Sequence, residues 1–200
     1  MAGLNNIHRH NFSDIMAVYI VTGTPGVGKT TVLNEAIKGR NLKVVVFGDT
    51  MFEIAKEMGL VRNKDEMRTK IKLETYKQIQ EKAAEKIAKM GGDIIVDTHA
   101  AIKRVDGYYP GLPEQVLKKL NPKAIVVIEA RPSDIELRRK DDLSRMRTDF
   151  GGADQVIEYQ NINRAFVAAY SALTGCLFKI IVNEQGKILE AAEKLREVFK

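Results

Sequence analysis

Two glycines separated by four residues and followed at once by Lys and Thr, Gly23-Thr24-Pro25-Gly26-Val27-Gly28-Lys29-Thr30, form the pattern of a phosphate-binding P-loop. Glycine is needed there because a side chain would block the close approach of an anion and because the turn visits positive φ. Lys29 would reach the β and γ phosphates of a nucleotide, the Thr30 hydroxyl would ligate Mg²⁺, and Thr31 continues the loop into a helix. The pattern arises by chance about once in a hundred chains of this length, so a glycine-rich turn that binds nothing is the alternative that context must decide against.

Two further groups of residues carry chemistry. Asp97-Thr98-His99 closes an apolar run, and an acid there suits Mg²⁺, held directly or through water; a helix or turn cap is the other use of such an Asp. His99 reads equally as a hydrogen-bonded site histidine or a packing one. Farther on come Arg138, Arg139, Lys140, Arg145 and Arg147, interrupted by Asp141 and Asp142 and closed by Gly151-Gly152. A guanidinium presents a planar fork to phosphate oxygens and stays charged at physiological pH, so Arg138, Arg145 and Arg147 are candidates for a mobile lid over a transferred phosphoryl group. Surface arginines are the plainer alternative. The lone cysteine, Cys176, excludes an internal disulfide and a multi-cysteine zinc site, and its setting predicts a buried structural thiol.

These residues need elements to hold them. Ala17–Thr22 is a β-branched run of buried-strand type feeding the P-loop, and Thr31–Lys38 has helical spacing; that strand–turn–helix context favours the phosphate reading. Leu42–Phe47, Ile94–His99, Ala124–Ala130 and Leu177–Val182 read as further strands. Helices are expected over Met51–Met58 with Asp49 or Thr50 as cap, over Ile71–Met90, Glu114–Leu120, Ala153–Leu173 and Ile188–Phe199, and from Pro132 onward. Asp65 is a plausible cap in the charged connection before Ile71. Gly107-Tyr108-Tyr109-Pro110-Gly111-Leu112-Pro113 predicts a loop of fixed turns, whose tyrosines line a base pocket or pack the loop. Five strands alternating with helices indicate one α/β domain, a doubly wound five-stranded parallel sheet with helices on both faces.

Composition agrees with a globular protein: 200 residues, 44% hydrophobic and 29% charged. No apolar run approaches the roughly 18 residues of a membrane span, and residues 1–16 lack the apolar block of a secretory signal. A cytoplasmic protein is expected, with residues 1–16 a flexible extension or Met16 the biological start, residues 17–200 a single domain, and a short lid at about 138–152. The net charge of +6 fits nucleic acid or a pocket for several phosphates, and the lack of basic tracts interleaved with aromatics favours the pocket. A GTPase would need a guanine-reading Asn-Lys-x-Asp after the Mg²⁺ acid; Asn63-Lys64-Asp65-Glu66 misses the last position and lies upstream of Asp97. A transporter-type ATPase would need Leu-Ser-Gly-Gly, from which Leu143-Ser144-Arg145 departs.

The chain resembles the archaeal-type adenylate kinases. The resemblance runs through Val21–Thr31, Phe47-Gly48-Asp49-Thr50-Met51, Arg62–Arg68, Val96-Asp97-Thr98-His99, Gly107–Pro113 and Arg145-Met146-Arg147, and only residues 1–16 lie outside it. It implies reversible transfer of the ATP γ-phosphoryl group to AMP with Mg²⁺, giving two ADP. It also implies that Arg68 holds the AMP phosphate, that Asp97-Thr98-His99 and Tyr108 border the acceptor, that Arg138, Arg145 and Arg147 are lid arginines, and that the chain forms a homotrimer. Lys140-Asp141-Asp142 departs from the family pattern and leaves a fourth lid arginine without a candidate. The rival readings are a nucleoside-monophosphate kinase for CMP, UMP or dTMP, whose phosphate machinery would be identical, and a nucleotide-dependent regulator associated with nucleic acid.

Overall fold

The structure is a computed structural model that describes residues 17–104, 106–141 and 152–199, with only the backbone of Arg68 and of 139–141. Five strands, β1 (Val18–Gly23), β2 (Lys43–Val46), β3 (Ile94–Asp97), β6 (Ala124–Glu129) and β7 (Leu177–Val182), form one sheet in the order β2-β3-β1-β6-β7. Every pairing in it is parallel. Between β3 and β6 lies an antiparallel hairpin, β4 (Ala101–Arg104) with β5 (Gly107–Pro110). The expected loop of fixed turns is therefore, from Gly107 to Pro110, the second strand of a hairpin. Its β-branched and aromatic pairs, such as Ile102 opposite Tyr109, outweigh the prolines and glycines.

β1, β3 and β6 are buried along their whole length, which is why they read as near-continuous apolar runs. Alternate residues go to opposite faces. Val18, Ile20, Ile94, Val96, Ile125 and Val127 pack against α4 (Leu73–Ala88), α5 (Glu114–Leu120) and α7 (Ala153–Thr174). Tyr19, Val21, Ile95, Val126 and Ile128 pack against α1 (Lys29–Ala36) and α8 (Ile188–Arg196). Each fully buried aliphatic side chain in these layers contributes about 2 kcal/mol. The doubly wound five-stranded sheet is thus realised as the sequence predicts.

Two helix starts differ from expectation. α2 (Phe47–Glu57) begins directly out of β2, so Asp49 and Thr50 lie within its first turn and cap nothing; Asp49 instead pairs with Lys64 Nζ at 2.6 Å. Burial of Phe47 at 2% exposure draws the chain into the helix early. At α3 (Glu66–Thr69) the Glu66 N–H donates to Asn63 Oδ1 at 3.1 Å, so Asn63 rather than Asp65 supplies the cap. α6 (Pro132–Asp141) follows β6, and Cys176 is half-buried rather than buried. The expected N-terminal extension, and residues 142–151 of the expected lid with Arg145 and Arg147, lie outside the described residues. Among the described residues no helix is long and apolar enough to cross a membrane.

Candidate phosphate-binding site

The site forms at the carboxyl ends of the central strands. β1 delivers Gly23, where an added Cβ would lie 2.5 Å from the Ile128 carbonyl of the neighbouring strand, so only glycine lets β1 and β6 stay paired there. The loop then turns on Gly26 (φ 96°) and Gly28 (φ 80°), both in the left-handed region that favours glycine. Val27, fully buried, plugs the turn into the core formed by α1 and α8. Gly28 is the N-cap of α1 and offers no side-chain cap, leaving the first amides of the helix for an anion.

Lys29 points from the first turn of α1 toward the end of β3. Its ammonium pairs with the Asp97 carboxylate and donates to the Thr98 carbonyl at 3.4 Å. Burial lowers the Lys29 pKa to about 8, while the adjoining carboxylate favours the charged form. Asp97 is placed by register, opposite Val21 of β1 on one side and Val46 of β2 on the other. Parallel pairing therefore brings together a lysine and an acid separated by 68 positions in the chain. Thr30 and Thr31 are exposed at the start of α1, beside the loop mouth. Among the described residues no group of three His, Cys, Asp or Glu side chains forms a self-sufficient metal cage.

The remaining predicted residues are placed as follows. Thr98 is buried with its N–H on the Val21 carbonyl at 3.1 Å, and His99 is exposed just after it. Tyr108, on the hairpin, donates its hydroxyl to Glu158 of α7 at 3.0 Å, with its ring 5.9 Å from that of Tyr159. Arg68 belongs to α3, on the stretch between α2 and α4. Arg138 gives Nη1 to the Val27 carbonyl, Nη2 to the Asn183 carbonyl and Nε to Gln185 Oε1, each at 3.0 Å. In this state its fork grips the outside of the P-loop.

Sequence reading missed the scaffold that ties these parts together. α7 carries Val156, Gln160, Asn163, Val167 and Tyr170 on one buried stripe. Asn163 accepts from the Ala101 N–H at 3.2 Å and donates to Thr24 Oγ1 at 3.4 Å, joining the hairpin to the P-loop. Tyr159 donates to the Ala101 carbonyl at 2.6 Å; Tyr170 donates to that of Ala100 at 2.8 Å, and burial pushes its phenol up. Glu129, 3% exposed at the end of β6, is held bidentately by Arg164 at 2.6 and 2.5 Å. The available signal was two amides, Gln160 and Asn163, at helical spacing on an otherwise apolar stripe.

A family model described as an AAA domain matches residues 22–154. Along most of its length the chain is also similar to curated proteins named adenylate kinase. It is 46% identical over 181 residues to the one from Thermoplasma volcanium, spanning 90% of this chain and 98% of that protein. It is 45% identical over 190 residues to the one from Methanocaldococcus jannaschii, spanning 92% and 98%. To the one from Pyrococcus furiosus it is 47% identical over 179 residues, spanning 88% and 90%. Among solved structures, shikimate kinase from Bacteroides thetaiotaomicron aligns with a TM-score of 0.58 at 15% identity, over 92% of this chain and 98% of that one. Shikimate kinase from Acinetobacter baumannii, in complex with shikimate, gives 0.56 at 14%, over 92% and 93%. At such identities the likeness is one of fold.

Proposed function

Since the chain belongs to the adenylate kinase family, we propose that its P-loop site performs reversible, Mg²⁺-dependent transfer of the ATP γ-phosphoryl group to AMP, giving two ADP. The observation that carries this reading is the meeting of Lys29 with Asp97 and the Thr98 carbonyl at the mouth of the P-loop, where β1 and β3 end. Phosphoryl transfer asks the protein chiefly to position two anions and neutralise their charge.

The residues divide that work. Backbone amides of Gly26, Gly28, Lys29, Thr30 and Thr31 would cradle the ATP phosphates, with Gly23, Thr24 and Pro25 shaping the turn and the Val27 N–H closing it on the Thr24 carbonyl at 3.2 Å. Lys29 is held in reserve by Asp97 and would exchange that partner for a phosphate oxygen as the nucleotide enters. Arg145 and Arg147 would close over the transferred group, with Arg138 at the root of the same segment. On the acceptor side Arg68 would hold the AMP phosphate, and Thr98, His99 and Tyr108 would border the nucleotide. Low water activity at the closed site would direct the phosphoryl group to AMP rather than to hydrolysis.

The oxygen donors present fit Mg²⁺, which takes few protein ligands and keeps water and phosphate oxygens. The exposed Thr30 hydroxyl and the Asp97 carboxylate, directly or through water, would hold it, and once bound with ATP it would neutralise phosphate charge. A homotrimer belongs to the same proposal; apolar residues on the two sheet edges, Val44 and Val46 on β2 and Leu177, Ile180 and Val182 on β7, support association. A cytoplasmic location is part of the same proposal.

The test is incubation with Mg-ATP and each of AMP, CMP, UMP and dTMP, following nucleoside diphosphate. AMP should be turned over in strong preference. Preference for another monophosphate would replace the acceptor assignment, and no turnover with any would remove the kinase reading.

A further inference from the structure

The carbonyl of Val27 accepts two hydrogen bonds from far along the chain, one from Asn183 Nδ2 at 2.8 Å and one from Arg138 Nη1 at 3.0 Å. Arg138 also binds the Asn183 carbonyl, and the Asn183 N–H donates to the Glu129 carbonyl at 2.7 Å, so this corner is fixed to the end of β6. Asn183 is 1% exposed and lies flush against Gly28, where an added Cβ would meet its Nδ2 at 2.6 Å. Its Oδ1 accepts no hydrogen bond among the described residues. A buried carboxamide with half of its bonding capacity unused is costly, which leaves the bond to Val27 as its principal polar interaction through the side chain.

We propose that Asn183, together with Arg138, is a positioning residue for the nucleotide phosphates. The two side chains hold the Val27 carbonyl outside the P-loop and so aim the Gly28 N–H into the phosphate bowl. The peptide unit is planar and trans, so the Val27 C=O and the Gly28 N–H point in opposite directions. Glycine at position 28 makes rotation of that unit inexpensive. Rotation would turn a carbonyl oxygen toward phosphate and remove one amide from the cradle. Two donors on the outer side, one of them charged, oppose that rotation before any nucleotide arrives. The role differs from direct contact between Arg138 and the transferred phosphoryl group, and it rests on the P-loop being the ATP phosphate site.

Asn183→Leu keeps the volume and removes the donor; Arg138→Met removes the charged donor at a half-buried position and serves if the first variant does not fold. Both are compared with wild type for the Kd of inorganic tripolyphosphate, the KM of ATP and of AMP, kcat, and ¹⁵N relaxation dispersion at the Gly28 amide. Each variant should weaken tripolyphosphate about tenfold, the scale of one hydrogen bond, and lower kcat, with the KM of AMP within twofold. New microsecond-to-millisecond exchange should appear at Gly28. Equal losses toward ATP and AMP, or loss of thermal stability with wild-type tripolyphosphate affinity, would assign these residues to structure alone. A lower kcat for Arg138→Met with unchanged tripolyphosphate affinity and a quiet Gly28 would place the arginine on the reacting group and overturn the proposal. Tripolyphosphate binding needs no turnover, so failure of the kinase reading would be seen separately, in the wild-type assay.

Discussion

Lys29 is held at its place by opposing influences: burial disfavours its charge, while Asp97 and the Thr98 carbonyl retain it. In the proposed reaction a cation stored in that way would pass to incoming phosphate, where developing charge in the transition state would interact with it most strongly. Lys29→Met should therefore lower kcat about a thousandfold while far-UV circular dichroism stays that of the wild type. Steady-state kinetics giving a kcat within tenfold of wild type would take Lys29 out of the chemistry. The residue itself was legible in the sequence, since its motif is local and its neighbours are glycines. Its partner in the resting state was not, because pairing with Asp97 depends on which strands lie side by side.

Among the elements, α7 joins the hairpin β4–β5 to the P-loop. Asn163 ties the P-loop threonine to the hairpin's first amide, and Tyr159 and Tyr170 fix the carbonyls beside it. The return of the hairpin depends on Gly111, whose N–H donates to the Ala100 carbonyl at 2.8 Å. An added Cβ there would lie 1.9 Å from the His99 carbonyl, a backbone atom that cannot swing away. Gly111→Ala should cost about 3 kcal/mol and lower the thermal midpoint by about 10 °C. Gly48→Ala is the internal comparison. Gly48 lies in the first turn of α2 with open space around its Cα, so alanine's helix propensity should leave the midpoint unchanged or slightly raised. Differential scanning calorimetry separates the two, and equal midpoints would show that the junction yields. The sequence placed a fixed turn here through its prolines and glycines. The pairing of Lys103 with Tyr108 and Arg104 with Gly107 is instead announced by the Asp106-Gly107 dipeptide, a short-range turn signal that begins just before the stretch read as a loop.

For the molecule as a whole, the sheet order puts β1 between β3 and β6, so the loop after β1 opens between two neighbours whose ends also carry polar groups. Among the described residues the outer strands β2 and β7 each keep one edge unpaired, and apolar side chains stand exposed on both, with Val46 at 42%, Leu177 at 54% and Val182 at 42% exposure. Association of copies would cover such surface. Sedimentation equilibrium should accordingly give the mass of three chains, and a single-chain mass would remove the trimer.

The sequence alone determined the parts written in short windows: the P-loop with Lys29 and Thr30, the apolar runs of the sheet strands, the acid at the end of β3, and most helix spans. Glycine spacing and hydrophobic periodicity act over a few residues and so can be read without the fold. Tertiary structure decided the parts that join distant residues. Arg138 is 111 positions from Val27, and Asn183 is 156. Asn163 is 139 positions from the Thr24 hydroxyl it meets. A carbonyl accepts from whichever donor the packing brings within about 3 Å, and no local pattern specifies that donor.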